Sequence, residues 1–217
     1  MNEGGVKASG GGMCTGLLSG GGACQLVAMG LDVSLSTTRL VLREFEEEDW
    51  RATHLYESDP EVVRYGLHGI RTPEESRDYI RRVRELSLET PRPVYDLAVV
   101  EREGGRLIGR CGLRITDRES REGTLWYILH RAEWGRGYIT EAAERVLDFA
   151  FGPLGLHRIF GDCDPRNPGS FRVMEKLGMR REAHFRQNVF IKGEWCDTFI
   201  YAVLDQEWRA RAARAGG

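Results

Sequence analysis

The chain has 217 residues, of which 41% are hydrophobic, 29% charged and 9% aromatic. This length is typical of one folded domain, and the apolar content is too high for a wholly disordered polypeptide. Its 31 basic and 33 acidic residues nearly cancel, which argues against a general nucleic-acid coat or a polybasic membrane binder. No apolar run in the sequence approaches the roughly 20 residues that span a bilayer.

The five cysteines are widely spaced and odd in number, and none forms a CxxC pair. Such spacing predicts neither a disulfide framework nor a structural zinc site, and we expect no metal cofactor. The pattern favours a reducing, cytoplasmic setting in which the cysteines act as small hydrophobic residues.

Residues 1–34 differ in composition from the rest of the chain. Ten of the 27 glycines fall within the first 30 residues, alongside only two charges, Glu3 and Lys7. Glycine-rich stretches lose too much backbone entropy to fold without partners, and a basic start followed by a continuous apolar core is missing, so this is a poor signal peptide. We interpret residues 1–34 as a disordered tail or as a stretch added by a misassigned start codon, with Met29 the more natural beginning.

Residues 35–208 are predicted to form the folded domain, followed by an Arg/Ala-rich tail over 209–217 that forms a short helix or frays. Apolar residues alternate at period two over 39–43, which predicts a strand with one buried face. Helical spacing follows over 46–58.

A second helix carries strong start signals. Thr72 is suited to the N-cap, Pro73 to the first helical position, and Glu75 completes a capping box. We expect this helix to run to about Leu86.

The remaining elements interleave hairpins with helices. Strands are predicted over 94–101, 106–115, 125–129, 157–163, 189–191 and 198–204, and helices over 140–151 and 170–177. This order indicates an α+β domain with one mixed, mostly antiparallel central sheet flanked by helices.

The stretch with the clearest chemical content leads from the predicted strand 125–129 into Gly135-Arg136-Gly137 and directly into a helix. Amides at a helix start have no partner inside the helix, and the helix dipole adds about half a positive charge there. Because glycine lets a ligand approach the backbone, the segment predicts a phosphate or diphosphate cradle. A tight turn before an ordinary helix fits the same residues. The loop is not a full GxGxxG and no Walker lysine follows, so a Rossmann or P-loop fold is disfavoured.

Several separated stretches resemble the GNAT superfamily of Gcn5-related N-acetyltransferases, and within it the branch that includes ribosomal-protein-alanine N-acetyltransferases. They occur in the family's order across residues 37–208, so the set is more specific than any one motif. The matching stretches are 38–43, 59–65, 134–138 with 140–142, 167–170 with 174–179, and 195–197.

The resemblance implies a V-shaped acyl-CoA cleft between two splayed strands, here 125–129 and 157–163. It implies transfer of an acetyl or other short acyl group from acyl-CoA to a primary amine, by direct attack and without an acyl-enzyme. Acetyl-CoA or another acyl-CoA is then the co-substrate. We expect a monomer or homodimer with no nucleic-acid or membrane partner.

The resemblance also assigns roles to single residues. Ser170 matches a hydroxyl near the coenzyme sulfur that would assist the leaving thiolate, although it suits capping of the following helix equally well. Asn167 would hydrogen-bond the coenzyme, and backbone groups of Ile128 and Leu129 would hold its pantetheine arm. The diphosphate loop would comprise Trp134, Gly135, Arg136, Gly137, Tyr138, Ile139 and Thr140.

Three aromatic residues are expected to line the acceptor pocket: Tyr65, Trp126 and Phe190. Aromatic residues at these spacings are more often part of a core, so this assignment depends on where the fold places them.

The positions where relatives carry a carboxylate base align here with Thr124 and Val189. The other candidate bases are Glu182, His184 and Asp197. A missing base favours an acceptor that is already partly neutral, such as an α-amine with a pKa of about 7.7–8.0 rather than a lysine near about 10.4. We therefore expect a protein or peptide N-terminal α-amine as the acceptor.

Other functions fit the same residues. One is a small-molecule acetyltransferase that acts on an antibiotic, a polyamine or an amino acid. Another is a catalytically weak CoA-binding regulatory module. A third, unrelated class is a nucleotide-binding regulator, which would bind ATP but not CoA.

Overall fold

The structure is a computed structural model that describes residues 32–215. Of the predicted N-terminal segment, residues 1–31 lie outside the described part of the chain. Among residues 32–215, no helix is long and apolar enough to cross a membrane.

Over residues 32–215, eight strands form a single sheet in the order β1-β2-β3-β4-β5-β6-β8-β7. The strands are β1 (Leu35–Ser36), β2 (Leu40–Arg43), β3 (Val94–Glu101), β4 (Leu107–Asp117), β5 (Glu122–Leu129), β6 (Arg158–Cys163), β7 (Arg180–Ile191) and β8 (Glu194–Leu204). Every neighbouring pair is antiparallel except β5 and β6. The prediction of a mixed, mostly antiparallel sheet is confirmed.

In the described part of the chain, six helices flank the sheet: α1 (Trp50–Glu57), α2 (Pro60–Val63), α3 (Pro73–Ser87), α4 (Tyr138–Phe151), α5 (Pro168–Lys176) and α6 (Asp205–Ala215). Short 3₁₀ turns precede α1 and α4. The predicted capping box of α3 is present, because Glu75 N donates to Thr72 Oγ1 at 3.2 Å and Thr72 N donates to the Glu75 carboxylate at 2.7 Å. The last helix, α6, runs across the boundary that the sequence placed at residue 208.

Strand β7 departs most from the sequence prediction, which expected a strand only over 189–191. It has 12 residues and lies at the edge of the sheet, exposed along most of its length. Register shifts at Arg181/Ala183 and Phe185/Val189 interrupt its pairing with β8. An exposed and interrupted strand shows no alternation of apolar and polar residues, so periodicity cannot detect it.

Two helices cover opposite faces of the sheet. On one face α4 buries Ala142, Ala143 and Leu147 completely against the strands, as its predicted apolar stripe requires. Their small or flexible side chains let the helix approach β4 and β5 closely. On the other face, Ile80 and Val83 of α3 pack onto β3. The sheet is therefore the middle of three layers.

A buried ionic cluster joins α1 to the sheet beneath α3. Glu57 is fully buried and pairs with Arg71 Nη1 at 2.8 Å and with Arg110 Nη2 at 3.1 Å. Arg110 Nη1 also lies 3.0 Å from Asp96 Oδ2, and Tyr79 contacts both Asp96 and Arg110. Because buried charges need partners, this cluster fixes the position of α1 over the strands.

Removing one charge from this cluster should destabilise the folded protein. We expect Glu57→Gln to lower the free energy of unfolding by about 3 kcal/mol, because Arg71 and Arg110 then stay buried without their shared carboxylate. Chemical denaturation measures this change. Glu48→Gln removes an exposed carboxylate that pairs with Arg51 and should leave the stability unchanged. Equal effects of the two substitutions would contradict the assigned role of the cluster.

Candidate active site

The sheet opens between its two parallel strands. Strands β5 and β6 pair at three positions, the last of which joins Thr124 and Phe160. Beyond it β5 continues to Leu129 and β6 to Cys163 without pairing to each other. The two strands therefore form the V-shaped cleft that the resemblance predicts.

The register of β5 decides which of its backbone groups face this cleft. His130 N donates to Ile108 O at 2.8 Å, and hydrogen-bonded pairs alternate along an antiparallel ladder. The N–H and C=O of Ile128 therefore point toward β4, whereas those of Tyr127 and Leu129 point into the cleft. Of the two residues expected to hold a pantetheine arm, only Leu129 directs its backbone there.

The glycine loop is open to an approaching ligand. Gly135 and Gly137 have φ angles of 76° and 79°, in the left-handed region that glycine adopts without strain. A Cβ on Gly135 would meet nothing within 4 Å. The first backbone bond of α4 is donated by Glu141 N to Gly137 O, so the three amides before Glu141 have no acceptor inside the helix. These groups and the helix dipole form an anion cradle.

Ion pairs and an indole fix the start of this loop. Trp134 Nε1 donates to Leu129 O at 2.9 Å, which ties the loop to the cleft strand. Buried Glu133 accepts from Arg106 Nη2 at 2.6 Å and from Arg136 Nη1 at 2.5 Å. The hydrogen bond from Arg106 is the main reason that the pKa of Glu133 lies below its usual value.

The side chains of the predicted loop divide into two sets. Trp134 and Arg136 are exposed, and Thr140 is half-buried. Tyr138 and Ile139 are buried in the main core, so only their backbone amides can serve a ligand. A bulky Ile139 is therefore compatible with the cradle.

A hydroxyl pair lies across the cleft. The Tyr127 hydroxyl donates to Ser170 O at 2.9 Å and lies 3.3 Å from Ser170 Oγ. Burial raises the pKa of the Tyr127 phenol, which stays protonated at neutral pH. The sequence singled out Ser170 but missed Tyr127, because a tyrosine in an apolar strand is most simply interpreted as core.

The capping role considered for Ser170 belongs to Asn167. Helix α5 begins at Pro168, two residues earlier than predicted, and Asn167 Oδ1 accepts from Ser170 N at 3.1 Å. Within the described residues, Asn167 Nδ2 has no hydrogen-bond partner, so this donor stays available to a ligand. Ser170 lies in the first turn with its hydroxyl toward the cleft.

A carboxylate also faces the cleft, and the sequence analysis missed it. A cavity of about 70 Å³ is lined by Leu125, Trp126, Tyr127, Asp162, Ser170 and Met174. Continuing the register past Thr124 and Phe160 brings Asp162 opposite Trp126. Asp162 stays accessible through the cleft, yet the surrounding protein desolvates it enough to raise its pKa. One feature of the sequence could have indicated this residue: Asp162 is an acidic residue inside the predicted strand 157–163, where apolar residues are expected.

The other candidate bases lie elsewhere. Glu182 pairs with Arg158 at 2.5 Å, and His184 Nε2 lies 2.7 Å from Asp197 Oδ2. All three belong to β7 and β8, which are separated from the cleft by β6.

The predicted acceptor aromatics lie in three different settings. Trp126 lines the cavity, and its ring lies over Gly112, where an added Cβ would be 2.2 Å from a ring carbon. Tyr65 lies near two guanidinium groups, those of Arg64 at 5.4 Å and Arg166 at 5.9 Å from its ring centre.

Phe190 lies on the hairpin of β7 and β8 and stacks edge-to-face on Trp195, with ring centres 5.3 Å apart. Both rings are 61% exposed. Lys192 Nζ at the hairpin turn donates to Val63 O at 2.6 Å, which holds the turn against α2. The hairpin and the segment after α2 thus lie side by side, and Tyr65 and Phe190 belong to this common surface.

No group of three or more His, Cys, Asp or Glu side chains within residues 32–215 is arranged to hold a metal ion. The groups that converge on the cleft instead suit a long ligand with an anionic end. The cradle fits a diphosphate, the β5 amides fit an amide-containing arm, and the hydroxyl pair and carboxylate flank the point where the strands separate.

A split sheet with an anion cradle at the neighbouring helix defines an acyl-CoA-binding transferase. The model of the acetyltransferase (GNAT) domain matches residues 39–180. The chain therefore belongs to the GNAT family, and its class of activity is acyl-CoA-dependent N-acetyl transfer.

Individual relatives agree with this assignment. The chain is 34% identical to the uncharacterized N-acetyltransferase YnaD of Bacillus subtilis, over 80% of this chain and 98% of that protein. It is 26% identical to a spermidine N(1)-acetyltransferase of Vibrio cholerae, over 81% and 98% of the two chains. A GNAT-family acetyltransferase from Bacillus anthracis superposes with a TM-score of 0.73 at 31% identity, over 81% and 100% of the two chains.

The cradle can be tested at Gly137. We expect Gly137→Ala to weaken CoA binding about tenfold, because an L-residue at this φ costs about 1–2 kcal/mol and relaxation displaces the loop amides. Isothermal titration calorimetry measures the affinity. Gly155→Ala is the matched control, since Gly155 also has a positive φ, 62°, but follows the opposite end of α4. A similar loss of affinity in both variants would refute the cradle.

Proposed function

We propose that the protein transfers an acetyl group from acetyl-CoA to the α-amine of a peptide or protein, in a reducing, cytoplasmic setting. One observation carries the mechanism: Asp162, Tyr127 and Ser170 line a single cavity where β5 and β6 separate. A proton acceptor and two hydroxyl donors thus flank the point at which an amine would meet a thioester.

Each part of the cleft has a separate task in binding the donor, which supplies an acyl thioester when bound. The amides at the start of α4 hold the diphosphate, with Gly135 and Gly137 permitting its approach. The amides of Tyr127 and Leu129 pair with the pantetheine arm, and Asn167 Nδ2 donates to it. These contacts fix the thioester beside Asp162 and Ser170, which lowers the entropic part of the barrier.

Proton transfers accompany the exchange of bonds. As the amine nitrogen bonds to the acyl carbon, Asp162 accepts the proton that the nitrogen loses. As the carbon–sulfur bond breaks, the Ser170 hydroxyl, hydrogen-bonded to Tyr127, donates to the departing thiolate. A carboxylate with a raised pKa is a better base near neutral pH than an ordinary aspartate.

The surface around the cleft supports an acceptor whose side chains can pack on aromatic rings. The guanidinium groups of Arg64 and Arg166 both lie near the Tyr65 ring, and Arg166 already engages the carboxylates of Asp164 at 2.7 Å and Glu194 at 2.9 Å. A peptide α-amine would bring only the amine that reacts, together with side chains that can pack on exposed aromatic rings.

Polyamine acetylation is the second candidate, because the similarity to a spermidine N(1)-acetyltransferase favours it. A catalytically weak CoA-binding module loses its main support, since Asp162 supplies the carboxylate that the sequence analysis had found missing.

The base can be tested by substitution. We expect Asp162→Asn to lower kcat about 100-fold, the usual contribution of a positioned general base. In the wild type, activity should rise with pH as Asp162 loses its proton, with the midpoint above the usual aspartate pKa because burial raises it. The rise in activity that follows ionisation of Asp162 should be absent from the pH profile of Asp162→Asn. A CoA-release assay across pH measures both effects.

Asp197→Asn is the control for this experiment. It removes a carboxylate that holds His184 on the β7–β8 hairpin, outside the cleft. We expect its kcat to match the wild type. A large loss in Asp197→Asn with little loss in Asp162→Asn would transfer the role of base to the His184 pair.

The acceptor class can be tested with matched amines. We expect a peptide with a free α-amine and no lysine to react at least tenfold faster at pH 7 than an N-blocked peptide with one lysine, because the α-amine is far less protonated. Spermidine serves as the polyamine arm of the same CoA-release assay. A faster reaction with spermidine or with the lysine peptide would overturn the assignment.

A further inference from the structure

The helix that forms the anion cradle carries a carboxylate in its first turn. Glu141 is the fourth residue of α4, and its side chain is only 19% exposed. Burial opposes its ionisation, but hydrogen bonds from Thr37 and Arg39 outweigh burial and hold the pKa of Glu141 below its usual value. An ionised carboxylate there competes with a bound anion for the positive end of the helix.

Arg39 of the segment leading into β2 supplies the opposing charge. Its Nε donates to Glu141 Oε2 at 2.7 Å, and its backbone N donates to Glu141 Oε1 at 2.9 Å. Thr37 Oγ1 donates to the same carboxylate at 2.5 Å. The Glu141 charge is therefore neutralised by a residue outside the glycine loop.

The Arg39 guanidinium continues from Glu141 onto the loop itself. Nη1 donates to Arg136 O at 3.0 Å, and the guanidinium carbon lies 4.5 Å from the centre of the Tyr138 ring. Nη2 lies 3.5 Å from the place that a Cβ on Gly137 would occupy. Within residues 32–215 this nitrogen has no hydrogen-bond partner, so it stays free to donate beside the open face of the glycine.

We propose that Arg39 is a coenzyme-binding residue: it cancels the charge of Glu141 and donates from Nη2 to a phosphate oxygen of the CoA diphosphate. The proposal rests on the proposed function, because it assigns the same cleft to CoA. Arginine suits the task, since its planar guanidinium can hold the Glu141 carboxylate and a phosphate oxygen with different nitrogens.

Calorimetric titration with CoA tests the charge role. Arg39→Ala should weaken binding about tenfold or more, because it removes a charged donor and exposes the Glu141 charge. Adding Glu141→Gln to Arg39→Ala should recover about two- to fivefold of that affinity. A merely mechanical brace predicts no recovery, because Glu141→Gln adds no restraint. It can only weaken the bonds that Glu141 still accepts from Thr37 Oγ1 and from the backbone N of residue 39.

Acetyl-pantetheine lacks the diphosphate and the nucleotide. It therefore distinguishes a loss of diphosphate binding from damage to the folded site. Arg39→Ala should raise KM for acetyl-CoA and leave KM for acetyl-pantetheine unchanged. Arg211→Ala is the matched control: Arg211 pairs with Glu144 on the same helix at 2.7 Å and is 40% exposed, against 44% for Arg39. We expect this control to bind CoA like the wild type.

The outcomes distinguish the two proposals. If the wild type does not bind CoA, the proposed function fails and this inference fails with it. If the wild type binds CoA and Arg39→Ala binds it equally well, only the inference is overturned. Equal losses for acetyl-CoA and acetyl-pantetheine would assign Arg39 a structural role and also overturn it.

Discussion

The site depends on a backbone constraint, the end of parallel pairing between β5 and β6 after Thr124 and Phe160. Main-chain donors and acceptors inside a sheet need partners, and here the neighbouring strand does not supply them. A ligand with amide groups of its own can supply them instead. The surrounding contacts keep this position open: Trp134 anchors the loop to β5, and Tyr127 spans the cleft to Ser170.

Each of the two carboxylates near the cradle is paired with arginine. Glu133 and Glu141 both lie close to the helix start, where an unpaired carboxylate would repel a bound diphosphate. Arg106 and Arg136 neutralise Glu133, and Arg39 neutralises Glu141. These pairs hold the glycine loop in place without cancelling the field of the backbone amides. The restraint therefore comes from side chains, and the affinity for anions comes from the backbone amides together with the donor that we propose at Arg39.

Local signals in the sequence predict local structure well. The capping box of α3, the bounds of β3 and the buried stripe of α4 each depend on residues close together in the chain. Edge strand β7 was predicted only over its last residues, 189–191, because neither of its faces is consistently buried. Asp162 and Tyr127 escaped because their roles come from the separation of two strands about 35 residues apart, which periodicity does not encode. Asn167, rather than Ser170, caps α5 because the helix starts earlier than its apolar pattern does.

The carboxylate at Asp162 changes the reason for preferring an α-amine. Without a base in the cleft, the acceptor would have to react as an amine that is already neutral, whereas the structure places a carboxylate there, which we propose as the base. An α-amine remains the preferred acceptor, because proton transfer depends on the pKa of the amine as well as on the pKa of Asp162. Burial raises the pKa of Asp162, and an α-amine is a weaker base than a lysine by more than two pKa units, about 7.7–8.0 against about 10.4. Both differences bring the pKa of the amine and the pKa of the Asp162 carboxyl closer to each other. Asp162 is therefore better matched to a terminal α-amine than to a lysine side chain.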